Sequence, residues 1–205
     1  MLSLAAVLLL SQTCAPSVAP QTLAAIAYVE SRFDPLAIGV NRGPRPARRP
    51  QTAAEAAAVA RDLIARGANL DLGIAQINSA NLEWLGLGVE EAFDPCRNLD
   101  AAATVLTAGY RPRGETAAHR QDALRTALSR YNTGHPSRGI QNGYVGRIET
   151  AALRLNLALS PQAAAADPGA AALPITNRRP PPEWDVFAQA RAVLVFSHTL
   201  ERSPS

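Results

Sequence analysis

Glu30 stands where a helix would place an aliphatic side chain. Within and before "AYVESRFDP" (residues 27–35), Leu23, Ile26, Ala27 and Glu30 follow the i, i+3, i+4, i+7 spacing of a buried helical stripe. A carboxylate left ionised and unpaired on that stripe is costly. Burial and the negative end of the helix dipole both favour its protonated form, the condition for a general acid working near neutral pH. The residues leave a second reading open, in which Glu30 is a structural anchor held by a helix terminus or by Arg32. In "DLGIAQINS" (71–79), Asp71, Gln76 and Asn78 alternate with apolar neighbours. Two amides and a second carboxylate can thus share one face, and amides that donate and accept suit sugar hydroxyl and acetamido groups. Turn-capping and strand-edge roles fit these amides equally well. In "SRYNTG" (129–134), a helix delivers Tyr131 and Asn132 into a glycine-ended loop. A buried tyrosine hydroxyl needs a partner; the carboxylic acid of Glu30 is the expected one, and plain aromatic packing is the alternative.

These residues require a helical frame. The first helix is expected over 20–33, ending before Asp34-Pro35 because the residue ahead of a proline is pushed out of the α region. "GVNRGPRPARRP" (39–50) reads as a loop. "TAAEAAAVARDLIARG" (52–67) reads as a helix with a Thr52/Glu55 capping box and Gly67 as its stop. "NLDLGIAQIN" (69–78) is extended, and "SANLEWLGL" (79–87) is a short helix. "FDPCRNLDAAATVLTAGY" (93–110) is a helix capped by Asp94 with Pro95 at its first position. "ETAAHRQDALRTALSRYN" (115–132) is helical, "GHPSRGIQNG" (134–143) a loop, and "YVGRIETAALRLNLAL" (144–159) a final amphipathic helix. The fold class is mainly α, with a small extended or β element near 69–78.

Composition narrows the function classes. The 205 residues are 47% hydrophobic but only 5% aromatic, with alanine, a strong helix former, making up much of the apolar share. Net charge is +3 and every basic residue is arginine. No basic stripe interleaved with aromatics is present, so no nucleic-acid partner is expected; a mildly basic surface suits an anionic polymer such as a cell wall. The apolar run within residues 1–13 reads as a secretory leader without a basic n-region, or as a short helix packing on the domain. It is too short to span a bilayer. Cys14 and Cys96 are too few for a structural zinc site and, in an exported chain, read as a disulfide. His119, His135 and His198 share no ligand spacing, so neither metal nor cofactor is expected. Residues 160–183 form a Pro/Ala-rich linker, and 184–205 a C-terminal segment, apolar enough in part to dock on something, which reads equally as a partner-binding segment, a helix returning to the domain or a tail without a role.

Taken in order, "ESRF", "GIAQIN" and A-x-x-x-YN-x-G resemble the soluble lytic transglycosylases, in particular the VirB1-like branch of type IV secretion systems. "CAPSV", "DPCRNL" and the helix-bearing insert ending "GANLDLGIAQIN" are similar to that branch too. The resemblance covers roughly residues 14–155. It implies a lysozyme-like domain over 14–159, a Cys14–Cys96 disulfide, a peptidoglycan substrate, a periplasmic location, and secretion-system partners reached through the tail. It implies Glu30 as the single catalytic acid/base, Ser31, Gln76, Asn78, Tyr131 and Asn132 at cleft positions, and Tyr144 lining the cleft. The implied reaction is non-hydrolytic cleavage leaving a 1,6-anhydro sugar. Ala75 and Asp34 depart from the methionine and asparagine usual in the family. The pattern ES-x-F … D-x-G-I-x-Q-I-N-S also resembles c-type lysozymes, which makes Asp71 a possible second carboxylate and hydrolysis the competing reaction. A non-catalytic glycan-binding scaffold is the third reading.

Overall fold

Helix α2 (Pro20–Ser31) is the axis on which the rest of the chain is assembled, and Leu23 through Ala27 have no exposed surface at all. Proline at its first position satisfies the entry φ without a wasted N–H. The small side chains of Ala24, Ala25 and Ala27 let neighbouring helices come close on several sides. The computed structural model describes residues 1–158; the linker at 160–183 and the segment at 184–205 lie outside the described residues.

Helix α1 (Leu4–Cys14) packs on α2 and buries Val7. Its N-terminus is capped by Ser3, whose hydroxyl accepts from the Ala6 N–H at 3.2 Å. The Leu2 N–H donates to the Phe33 carbonyl at 2.8 Å, joining the start of the chain to the exit of α2. At its other end Cys14 is disulfide-bonded to Cys96 on helix α5 (Pro95–Gly109), with a Cα–Cα separation of 5.5 Å. Residues 1–13 are thus built into the helical packing.

An antiparallel sheet of order β1-β2-β3 comprises Ile38–Arg42, Asn69–Leu72 and Ile77–Asn78. Alternation sends Leu70, Leu72 and Ile77 into the core, while Asn69, Asp71 and Asn78 stay half-exposed on the opposite face. Helix α3 (Ala53–Ala65) lies against β2 and carries the Thr52 half of the expected capping box: Thr52 accepts from the Glu55 N–H, while Glu55 reaches back to the Gln51 N–H, one residue ahead of the N-cap N–H that the box would use. A short α4 (Leu82–Leu85) precedes α5, which is capped by Asp94 as anticipated. Helices α6 (Ala117–Thr133), α7 (Arg138–Gln141) and α8 (Tyr144–Ala158) complete the domain, with α8 packed along α2. Among the described residues no helix is long and apolar enough to cross a membrane.

Three local expectations change. Helix α2 stops at Ser31, two residues early, because Arg32 and Phe33 turn left-handed at φ 58° and 66°. The stretch 39–50 is not all loop: pairing with β2 converts its first residues into β1. Residues 134–143 contain α7, which is packed against α6. Short elements like these are made by tertiary partners rather than by local propensity.

Candidate active site

Glu30 lies in the last turn of α2 and is partly exposed there. Its Oε1 accepts a 2.6 Å hydrogen bond from the Tyr144 hydroxyl, at the start of α8. Burial is the largest influence on the carboxyl and, with the nearby negative charge of Asp71, raises its pKa from 4.5 to about 7. The Tyr144 bond and the positive charge of Arg147 pull the other way. Glu30 is therefore exchangeable between acid and carboxylate near neutrality, as proton transfer in both directions requires. Arg32 does not neutralise it. With its left-handed backbone, Arg32 stacks on the Tyr28 ring, 4.2 Å from the ring centroid.

Tyr144 is 2% exposed, and burial together with Glu30 raises its hydroxyl pKa well above 10, which keeps it a donor. Its N–H donates to Asn142 Oδ1, and Asn142 Nδ2 donates to Asn132 Oδ1. Asn132 thus connects the end of α6 to the turn that presents Tyr144. Arg147, one turn along α8, lies 5.8 Å from the Tyr144 ring centroid. Sequence reasoning missed Arg147; its i, i+3 spacing from Tyr144 was the available signal.

Tyr131 is not the partner of Glu30. Its buried hydroxyl donates to the Ala75 carbonyl at 2.7 Å, and burial, Glu30 and Asp71 raise its pKa well above 10. Ser31 reaches the same turn: its hydroxyl bonds to the Ile74 carbonyl at 2.6 Å while accepting from the Asp34 N–H. The turn at 73–76 is fixed from a third side by Asn98, which has no exposed surface. Asn98 donates to the Leu72 and Ala92 carbonyls and accepts from the Ala75 N–H. Sequence reasoning missed Asn98 as well. Gly73 has φ 73°, and a Cβ there would lie 2.1 Å from the Ala92 carbonyl oxygen, so a side chain is excluded twice over.

The amides of the 71–79 stretch are occupied. Gln76, left-handed at φ 54°, donates to the Gly73 and Ala37 carbonyls. Its Oε1 lies where a Cβ on Gly39 would come within 2.6 Å. Asp71 accepts from Asn78 Nδ2 at 2.7 Å on one oxygen and from Asn41 Nδ2 at 2.8 Å on the other. Asn69 exchanges hydrogen bonds with Asn78 and accepts a further one from Asn41. Asn41, absent from the candidates named above, becomes visible only once β1 is paired with β2. The site is thus one carboxylic acid with a tyrosine donor, beside a carboxylate held in an amide cluster. An apolar recess lined by Val18, Leu106, Thr107 and Leu124 involves none of these residues.

The family described as the transglycosylase SLT domain matches residues 8–153. Protein virB1 of Agrobacterium fabrum (strain C58) is 48% identical over 145 residues, covering 71% of this chain and 58% of that protein. The type IV secretion system protein virB1 of Brucella suis biovar 1 is 38% identical over 206 residues, covering 96% of this chain and 83% of that protein. The chain thus spans under two thirds of the Agrobacterium relative's length. No solved structure matches it. The acid at the end of α2, the amide-bearing sheet and a match across most of the domain lead to one assignment: the chain belongs to the SLT transglycosylase family.

Proposed function

We propose that the chain is a lytic transglycosylase that cuts the β-1,4 bond between N-acetylmuramic acid and N-acetylglucosamine in peptidoglycan. The observation that carries this reading is Glu30, a carboxyl with a pKa near 7 held by one tyrosine hydroxyl. Protonated Glu30 gives its proton to the glycosidic oxygen as the bond to the anomeric carbon breaks, and the substrate's acetamido group stabilises the developing cation. Glu30, now a carboxylate steadied by Tyr144, takes the proton of the sugar's own 6-hydroxyl. That oxygen closes on the anomeric carbon, giving a 1,6-anhydro end and regenerating the acid; no water is consumed. The Brucella suis relative's name, a type IV secretion system protein, supports a role beside such an apparatus; the activity would then act in the periplasm, where local wall opening would let the apparatus assemble. Residues 184–205 remain the candidate contact to its components.

A lysozyme-type hydrolysis is the second reading, favoured by the nearness of Asp71, whose charge Glu30 feels. Against a nucleophilic role stands the engagement of both Asp71 oxygens by amides. Mass analysis of digested wall decides: anhydro ends are one water lighter than reducing ends, and reducing ends alone would overturn the transglycosylase reading. Glu30→Gln should abolish product formation; retention of biological activity by that variant would instead favour the scaffold reading.

A further inference from the structure

The edge of the sheet carries a feature that the reaction above leaves unused. Strand β1 runs into "RGPRPARRP", which holds four arginines and no acidic residue over 42–50. Two of these are engaged: Arg49 pairs with Asp34 at 2.5 Å, and Arg48 lies 3.7 Å from Glu55. Among the described residues, no ion pair or side-chain hydrogen bond engages Arg42 or Arg45.

The register decides where Arg42 sits. Val40 pairs with Leu70 and Arg42 with Asn69, so an extra residue, Asn41, is accommodated between them in β1. The bulge sets Arg42 opposite Asn69, on the face that bears Asn69 and Asp71, and Asn41 bonds to both of those side chains. An unbroken strand would alternate Asn41 and Arg42 to opposite faces. Asp71 in turn is close enough for its charge to act on Glu30. The loop is anchored beside the acid at its far end too, through Arg49 on Asp34, four residues beyond Glu30. An unpaired guanidinium on this face is a fork for carboxylates.

We propose that Arg42, seconded by Arg45, binds the carboxylates of the peptide stems on the glycan strand, making stem-bearing rather than bare glycan the preferred substrate. The inference rests on the transglycosylase reading only for the identity of the polymer.

The test has a binding arm and a turnover arm, both on the full chain. Binding of the Glu30→Gln protein is measured by co-sedimentation with intact sacculi and with wall glycan whose stems an amidase has removed. Tighter binding to the stem-bearing form is expected, by roughly three- to tenfold for exposed charge pairs, with the preference shrinking as salt rises. In the background of Glu30→Gln, Arg42→Gln should bring the ratio of the two affinities close to one. In the turnover arm, Arg42→Gln should raise KM on stem-bearing strands more than it lowers kcat. Equal affinity of the parent protein for both polymers, or equal weakening on both by Arg42→Gln, would overturn the inference. Absence of anhydro products from the otherwise unaltered chain would overturn the transglycosylase reading, while the affinity ratio would still judge Arg42.

Discussion

Tyr144 and Glu30 are 114 positions apart in the chain and 2.6 Å apart in the fold, hydroxyl to Oε1. The bond favours the carboxylate form of Glu30, whereas burial favours the acid. Tyr144→Phe removes the first influence and leaves the second. The alkaline limb of the pH–rate profile should move upward, and turnover at neutral pH should fall by about tenfold or more as proton recovery from the 6-hydroxyl weakens. An unmoved limb would reduce Tyr144 to a packing role.

The raised pKa of Glu30 also has a price in stability. The folded chain retains a proton that the unfolded chain releases between pH 4.5 and about 7. Stability should therefore decline as pH rises through that window, by up to roughly 3 kcal/mol from this group, and level off above it. Urea unfolding at pH 5 and pH 8 measures the difference, and Glu30→Gln should remove this group's share of it.

Asp71→Asn separates two roles for the second carboxylate. Because the charge on Asp71 pushes the Glu30 pKa up, its removal should lower that pKa. Activity should then be lost mainly near and above neutral pH, with the profile displaced to lower pH. A hydrolase using Asp71 as nucleophile would instead lose activity at every pH, so rates at pH 5 and pH 7.5 distinguish the two.

Asn98→Ala should be among the most damaging single changes in the domain. It would orphan the buried Leu72 and Ala92 carbonyls and the Ala75 N–H, for a cost of about 2–4 kcal/mol. Thermal unfolding reads the loss directly. The turn it releases also holds Ser31 and Tyr131, so residual activity should decline before the fold is lost on heating.

The sequence disclosed most about parts whose chemistry is local. The apolar stripe ending in Glu30 marked both the central helix and its anomalous carboxylate, and Thr52 and Asp94 announced helix starts that the fold repeats. Partners made by long-range closure left no such trace. Tyr131 and Tyr144 both bring a hydroxyl near the acid, and only the packing of α8 on α2 and of α6 on α8 decides which hydroxyl meets Glu30 and which meets Ala75. Asn41 stayed hidden because β1 exists through its pairing with β2, and only that pairing brings its amide to Asn69 and Asp71. Asn98 lies inside an unremarkable helix and gains its role from two backbone groups of the distant 72–75 stretch and one in the segment just ahead of its own helix.

The mutual bonding of Asn41, Asn69, Asp71 and Asn78 bears on how a sugar would be received. A hydroxyl or acetamido group arriving on that face meets amide protons most of which already have acceptors. Docking there trades one bond for another at nearly constant number, so little net enthalpy is released. Discrimination among sugars would then come from contour, and from how much rearrangement each ligand forces on four coupled side chains. Shifting that preference would call for concerted replacement of the set, since changing one member strands its neighbours.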